Sequence, residues 1–154
     1  MSKLIDVPYS RQQSDGYCLP ACAQMALAHL GISRSQQELG RVMGMIAGFG
    51  VPASHILHLR SPQVQVEYHT EGKLEHLRLW LMRQVPVIAC VQTSELTYWQ
   101  GHIAQHAILL VGIDEQNAYL LDPAQRPTVI SVSIDEFLLA WDEMEFAYSV
   151  IAKV

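Results

Sequence analysis

Hydrophobic residues recur at helical spacing near the start of the chain. Over residues 19–30, Ala, Met and Leu follow this spacing, and Gly31 comes where a helix commonly ends in a left-handed residue. The pattern predicts a helix over this segment. Cys18 immediately precedes it and is therefore expected at the helix N-terminus.

Two further helices are predicted before residue 60. The sequence Ser-Gln-Gln-Glu at 35–38 is typical of a capping box and predicts a short helix that runs towards Met43. The glycine-rich stretch 44–50 should end that helix. Pro52 suits the first turn of a third helix over residues 53–59, because its fixed φ is helical and its missing N–H is not needed there.

Strands dominate the rest of the pattern. Apolar residues at 64, 66 and 68 alternate with polar neighbours, which is typical of a half-buried strand. The segments that follow predict a helix at 74–82, strands at 87–91, 106–113, 118–121 and 129–132, a helix at 134–141 and a strand at 148–154, with a turn at 114–117. Helices followed by a mostly antiparallel sheet define an α+β fold.

Length and composition fit one globular domain. A chain of 154 residues buries roughly 70% of its unfolded surface in a single core, so we expect one domain over residues 1–154. Half of the residues are hydrophobic and only 16% are charged, which favours a compact chain over a disordered one. The net charge of -5, without clustered Lys and Arg, argues against a nucleic-acid partner.

We expect a cytoplasmic protein with free thiols. The first ten residues hold no apolar run long enough for a secretory signal, and no stretch of about 18 apolar residues predicts a membrane span. Three cysteines cannot all pair within one chain, and a reducing compartment keeps such thiols free. Delivery by a dedicated secretion machine stays open, because it requires no cleavable leader.

Cys18 is the first candidate for chemistry. A thiol becomes a good nucleophile when it loses its proton, and unpaired N–H groups at a helix N-terminus favour the thiolate. In such settings, with a histidine nearby, the cysteine pKa falls from about 8.5 to somewhere between roughly 3.5 and 7.5. By its position alone, however, Cys18 is also typical of a small buried core residue.

Gln12 lies six residues before Cys18, close enough for a short loop to return its side chain to the thiol. There the side-chain amide and the backbone N–H of Cys18 could both donate to an oxyanion. A solvated loop glutamine is the alternative, and Gln13 fits that description better.

His106 and Asp122 stand at the ends of two predicted strands. His106 begins a strongly apolar strand, which would hold its imidazole rigidly, as general-base catalysis requires. Asp122 ends the next strand, where an antiparallel partner could bring its carboxylate beside the imidazole and fix the tautomer. The alternatives are a structural histidine and a turn-initiating Asp-Pro pair.

Other candidates carry weaker signals. Cys22 and Cys90 are expected in the core. A zinc site from the two N-terminal cysteines with His102 and His106 lacks the paired Cys-x2-Cys spacing, so no metal is expected. His102 lies in the loop before the strand that begins at His106. It could be a wall of the site, an alternative base or a surface residue. The methionines and glycines of 43–50 either flank a peptide groove or pack in the core.

Together, these residues resemble those of the bacteriocin-processing peptidases. The resemblance rests on Gln12-x5-Cys18 with Cys22, Met25 and Gly31 behind it, on His106-Ala-Ile-Leu-Leu-Val-Gly-Ile-Asp114, on Tyr119-Leu-Leu-Asp122-Pro123, and on the segment 134–141 that ends in Trp141. It spans roughly residues 6–151. The motifs are individually short, but their order and spacing together are fairly specific.

The resemblance implies a papain-like fold, in which N-terminal helices pack on a mostly antiparallel β-sheet. It also implies that Cys18 is the nucleophile, His106 the base, Asp122 the residue that orients the base and Gln12 the oxyanion donor, with no cofactor. In that family the domain precedes an ABC exporter and cuts precursors after a double-glycine leader. A peptide or protein substrate is therefore expected, with a transporter or secretion system as partner.

One position departs from the family pattern, in which glycine usually follows the nucleophile. Here Leu19 stands before Pro20, and its bulk should narrow the space beside the thiol or change the substrate that fits. The expected function is hydrolysis of a peptide or amide bond through a Cys18 thioester. An acyltransferase or transglutaminase-type enzyme, and a non-catalytic peptide-binding domain of the same fold, are the alternatives.

Overall fold

The computed structural model describes residues 3–46 and 48–154, and its elements follow the predicted order. Within that part of the chain, the α-helices are α1 (Cys18–His29), α2 (Gln36–Val42), α3 (Leu74–Met82) and α4 (Ile134–Asp142). The strands are β1 (Val64–His69), β2 (Val87–Gln92), β3 (Gln105–Ile113), β4 (Asn117–Leu121), β5 (Ile130–Ser133) and β6 (Tyr148–Lys153). Short 3₁₀ helices cover Ala53–Leu59, Thr93–Glu95 and Thr97–Trp99. None of the helices in the described ranges is long and apolar enough to cross a membrane.

The six strands form one sheet in the order β1-β6-β2-β3-β4-β5, and every neighbouring pair is antiparallel. α1 packs on β3 in the middle of the sheet, and α4 packs on β2. Central strands are buried on both faces, since the burial of β2 and β3 is nearly continuous. The α+β prediction, with N-terminal helices on an antiparallel sheet, is confirmed.

α1 is a buried helix that starts at the nucleophile candidate. Most of its side chains are inaccessible to solvent, including Cys22 and Met25, and its polarity is too low for a clear amphipathic pattern. The helix ends at His29, and Gly31 adopts the left-handed conformation that its position predicts, with φ of 82°. Burial on this scale anchors the helix against β3 and fixes the position of its N-terminus.

The segments around α1 agree with the prediction in place but not fully in type. Ser35 caps α2 as expected, because its Oγ accepts from the N–H of Glu38 at 3.1 Å. Residues 53–59, however, form a 3₁₀ helix rather than an α-helix. Ile56 and Leu59 face the core three residues apart, which suits three residues per turn. Of the predicted break at 44–50, Ala47 lies outside the described residues.

Candidate active site

The sheet brings His106 and Asp122 together. In the β3–β4 pair, Leu109 lies opposite Leu121, so one more step of this register sets Asp122 opposite Ile108. His106 is two residues from Ile108 and thus on the same face, within diagonal reach of Asp122. The imidazole Nε2 of His106 lies 2.8 Å from Oδ1 of Asp122, and both side chains are buried. Neighbouring strand ends therefore place the base candidate against its carboxylate, as the sequence predicted.

Asp122 is a fully buried carboxylate with donors on both oxygens. Oδ1 also accepts from the N–H of Ala124 at 2.9 Å, whereas Oδ2 accepts from the hydroxyl of Tyr98 at 2.6 Å and from Nε1 of Trp99 at 2.9 Å. Burial alone would raise the pKa of Asp122, but the hydrogen bonds and charge of His106, together with the other donors, lower it. The carboxylate is thus ionised. Sequence reasoning missed Tyr98, because nothing in a loop sequence indicates where its side chain points.

Cys18 begins α1 and lies half-buried beside His106. Burial would raise the pKa of its thiol, but hydrogen bonding to His106 and the charge of that ring lower the pKa below its ordinary value. The N–H groups of Leu19 and Ala107 lower the pKa further. Since α1 carries no acidic side chain in its first turn, the helix N-terminus adds to this stabilisation of the thiolate.

His106 is the link between the thiol and the carboxylate. Burial would keep its ring neutral, yet hydrogen bonds to Asp122 and Cys18 and their charges raise the pKa of His106 to about 9. With Nε2 on the carboxylate, Nδ1 is the ring nitrogen left for the thiol. The opposite shifts at Cys18 and His106 favour a thiolate–imidazolium pair near neutral pH, the state in which a cysteine attacks a carbonyl.

Gln12 lines the same cleft as Cys18. Its backbone N–H donates to the carbonyl of Pro123 at 2.9 Å, which ties this loop to the residue after Asp122. In the side chain, Nε2 donates to the carbonyl of Ser14 at 3.2 Å and retains a second N–H, while Oε1 is buried without a partner among the described residues. An amide held in this way near the thiol can donate to a negatively charged oxygen.

A cleft of about 470 Å³ opens over Cys18 and His106. Apart from these two and Gln12, small and apolar residues dominate its lining: Gly16, Leu19, Phe49, Gly50, Val51, Pro52, Ala53, Cys90, Ala104, Ala107, Ala124 and Met144. Volumes of roughly 300–1,000 Å³ are typical of ligand sites. The cleft is large enough to hold a segment of peptide against the thiol.

Two glycines bring the wall of this cleft against the loop before Cys18. Gly16 has a φ of 86°, and a Cβ at this position would lie only 2.9 Å from the backbone N of Gly50. The contact therefore needs both the left-handed conformation and the missing side chain. It fixes the strand-like bridge between Ile46 and Gly50 beside the nucleophile candidate.

Replacing Gly16 with alanine is expected to destabilise the fold by about 1–3 kcal/mol, through a strained left-handed residue and a backbone clash. Urea denaturation measures this change, and the alkylation rate of Cys18 reports movement of the loop. Gly31→Ala is the matched control, because Gly31 has a similar φ of 82° but a Cβ there would meet nothing within 4 Å. Equal losses in the two variants would contradict a role for the close backbone approach.

The weaker candidates take different positions. Cys22 is buried in the core as predicted, and Cys90 is also buried but its surface faces the cleft. His102 is exposed and does not line the cleft, so it is neither its wall nor an alternative base. Met43 belongs to the core, whereas Phe49 stands at the cleft with 87% of its surface exposed. Residues 3–46 and 48–154 contain no cluster of three or more His, Cys, Asp or Glu suited to a metal ion.

Leu19, whose bulk is predicted to narrow the space beside the thiol or to change the substrate that fits, is almost fully buried. Only 4% of its surface is exposed, and its side chain belongs to the hydrophobic core. It also borders the cleft, so its effect on the space beside the thiol stays a prediction. The residue after Cys18 therefore occupies mainly interior volume.

The fold, with a cysteine at the start of a buried helix and a histidine at the start of a central strand, is that of the papain-like cysteine peptidases. A family model described as the Peptidase C39 like family matches residues 4–149. The chain belongs to this family, and the predicted relationship to the bacteriocin-processing peptidases is confirmed. No curated protein sequence matches the chain.

Solved structures share the fold of this chain. A candidate C39-like peptidase from Bacillus anthracis is 19% identical, with a TM-score of 0.81 over 100% of this chain and 99% of that chain. A double-glycine-motif protease from an AMS/PCAT transporter, in complex with the leader peptide, is 16% identical, with a TM-score of 0.72 over 100% and 96%. The peptidase domain of Streptococcus ComA, a bifunctional ABC transporter in a quorum-sensing pathway, is 17% identical, with a TM-score of 0.73 over 96% and 98%.

Proposed function

We propose that the chain is a single-domain cysteine peptidase that cleaves a peptide or amide bond through a thioester on Cys18. The observation that carries this proposal is that Cys18 and His106 line one cleft, with His106 bonded to the buried carboxylate of Asp122, while the pKa of Cys18 is lowered and that of His106 is raised. Opposite shifts on two neighbouring groups are the signature of a nucleophile paired with its base.

The proposed reaction has two halves. The thiolate of Cys18 attacks the carbonyl carbon, and the carbonyl oxygen gains a negative charge that accepts hydrogen bonds from the second N–H of Gln12 Nε2 and from the backbone N–H of Cys18. The C–N bond then breaks as His106 gives its proton to the leaving amine. In the second half, His106 takes a proton from water, the hydroxide adds to the thioester, and the C–S bond breaks to release the carboxylate.

Peptides are the substrate class that we propose, on the basis of the open, apolar cleft over Cys18. Two of the structural neighbours are peptidases of transporters, one bound to a leader peptide, which makes a leader-bearing precursor and a transporter or secretion system the proposed substrate and partner. We place the reaction in the cytoplasm, where the three free cysteines would stay reduced.

Mass spectrometry of peptide mixtures incubated with the protein tests the proposal. Cleavage of a peptide, together with a trapped acyl mass on Cys18 after rapid quenching, is the expected result. Added primary amines distinguish the acyltransferase alternative, because an amide product in place of the free acid would identify an amine as the acceptor. Absence of both cleavage and acyl adducts, with a thiol that reacts no faster than free cysteine at pH 6–7, would favour a binding domain.

Replacing Gln12 with alanine is expected to lower kcat by about 10²–10³-fold with little change in KM, because the lost donor acts on charge that develops only in the transition state. Steady-state cleavage of the best peptide measures both constants. Gln13→Ala is the matched control, since Gln13 is exposed and does not line the cleft. An unchanged kcat for Gln12→Ala would exclude Gln12 as the oxyanion donor.

A further inference from the structure

The 3₁₀ helix Thr97–Trp99, here called the clip, lies against Asp122 of the candidate active site. Two adjacent aromatic residues of the clip, Tyr98 and Trp99, direct their polar groups to one atom, Oδ2 of Asp122. Such a convergence is informative, because neighbouring side chains on a short helix normally diverge. Asp122 and its second oxygen are thereby held from the side opposite His106.

The two oxygens of Asp122 have separate sets of donors. Oδ1 receives His106 Nε2 at 2.8 Å and the N–H of Ala124 at 2.9 Å, while Oδ2 receives only the clip. A carboxylate with donors on both oxygens cannot rotate without breaking bonds on each side. The clip therefore determines which oxygen faces the imidazole. Burial beside this carboxylate raises the pKa of Tyr98, so its hydroxyl remains a donor at all physiological pH values.

Trp99 makes a second contact with the same assembly. Its ring meets the ring of His106 edge to face, with centroids 5.0 Å apart and an angle of 66° between the planes. Trp99 also lines the cleft and is half-buried. The indole thus stands between solvent and the His106–Asp122 hydrogen bond, where the exclusion of water strengthens the interaction.

The clip is attached to α4 at its first residue, and the loop that carries it, residues 93–104, is closed at its base. Its first residue, Thr97, donates its N–H to Oε2 of Glu136 at 3.0 Å and its hydroxyl to Oε1 at 2.8 Å, which joins the clip to the first turn of α4. At the base of the loop, Thr93 Oγ1 donates to the carbonyl of His102 at 2.6 Å and accepts from the N–H of Ala104 at 2.8 Å. A loop closed in this way can hold a side chain at a fixed distance.

We propose that Tyr98 and Trp99 are positioning residues that hold the carboxylate of Asp122 in the orientation in which it binds His106. In this proposal Glu136 anchors the clip from α4. This inference rests on the proposed function and adds residues that do not touch the reacting atoms, apart from the ring contact of Trp99. Without the clip, Oδ2 is a buried acceptor that lacks a donor among the described residues. The carboxylate then turns towards other donors, and the His106 bond weakens.

Two conservative substitutions test the proposal, since Tyr98→Phe removes one hydroxyl and Trp99→Phe removes the indole N–H while it keeps an aromatic ring. We expect each single variant to lower kcat by about 5–10-fold and the double variant by about 100-fold, with KM within about twofold, because a buried oxygen loses its donors stepwise. Stopped-flow cleavage assays on variants that retain wild-type circular dichroism give these constants.

The pH profile of Cys18 alkylation by iodoacetamide is the readout that a purely structural role would not change. Loss of the clip donors raises the pKa of Asp122 and weakens its hydrogen bond to His106. The pH range over which Cys18 reacts faster than free cysteine should therefore narrow in the double variant. Folded variants with an unchanged pH range and an unchanged kcat would overturn the proposal. Should the double variant fail to fold, the two single variants decide in the same way.

The anchor has its own matched pair of variants. Glu136→Ala removes both acceptors of Thr97, whereas Asp135→Ala removes the neighbouring acid of the same first turn, which makes no hydrogen bond to the clip. A fall in kcat of about threefold or more is expected for Glu136→Ala alone; equal effects of the two would overturn the anchoring role. Alkylation of Cys18 requires no peptide substrate. If the wild-type protein shows enhanced thiol reactivity but cleaves no peptide, the proposed function is contradicted, whereas the effect of the clip variants on alkylation can still be measured.

Discussion

Replacing Cys18 with alanine is expected to abolish peptide cleavage, with a loss of at least about 10³-fold, while the fold stays nearly as stable. The sulfur is the atom that forms the proposed thioester, and the other thiol that faces the cleft, Cys90, is a poor substitute because burial raises its pKa to about 12. The side chain is half-buried and close in size to alanine, so its removal leaves only a small space. Product formation by mass spectrometry and thermal unfolding by circular dichroism measure the two effects.

Cys22→Ala is the control for this experiment, because Cys22 lies on the same helix but is fully buried, and burial raises the pKa of its thiol. This variant should lose some stability and still react with iodoacetamide at Cys18 at the wild-type rate. Cleavage that persists in Cys18→Ala would exclude the thioester mechanism. Cleavage lost from Cys22→Ala, with its fold intact, would show that the nucleophile had been assigned to the wrong cysteine.

The positions of the three candidate residues, Cys18, His106 and Asp122, could be predicted because each lies at the end of a regular element. Cys18 is fixed by the start of a helix that its sequence defines well, and His106 and Asp122 by strands whose apolar runs are easy to locate. Antiparallel pairing of consecutive strands then makes their contact almost unavoidable. Local patterns thus specify where the helix and the two strands begin and end, and these ends specify where Cys18, His106 and Asp122 lie.

The rest of the site depends on contacts that local patterns do not encode. Tyr98 and Trp99 lie in a loop, and their shared acceptor belongs to a residue 23 or 24 positions away in sequence. Likewise, the approach of Gly16 to Gly50 joins two loops. The register shift in β3 between Leu110 and Gly112 is another example, because the alternation of a continuously apolar strand carries no signal for a bulge.

The pKa shifts define a pH range for the reaction. The thiolate forms above the lowered pKa of Cys18, and His106 keeps the proton that the leaving amine needs until the pH passes its raised pKa of about 9. Cleavage should therefore rise through the first value, stay high, and fall above about pH 9. Because Asp122 raises the pKa of His106, the position of the upper limit reports on this carboxylate.

Asp122→Asn is expected to lower kcat by about 10³–10⁴-fold and to move the upper pH limit of activity to lower pH. Each oxygen of Asp122 accepts two hydrogen bonds, whereas asparagine offers only one oxygen. If that oxygen stays with the two donors of the clip, the amide NH₂ turns to His106 and holds Nε2 as an acceptor. The ring proton then lies on Nδ1, which can no longer take a proton from Cys18.

The loss of the negative charge acts in the same direction, because it removes the attraction that raises the pKa of His106. Cleavage rates from pH 5 to 10 measure both changes, and circular dichroism shows whether the variant folds. Asp114→Asn is the matched control, since Asp114 accepts from Tyr119 Oη and two N–H groups in an exposed turn beyond the other end of β3. A folded Asp122→Asn variant with the wild-type rate and upper limit would show that His106 acts without its carboxylate, and the proposed machinery would then consist of Cys18 and His106 alone.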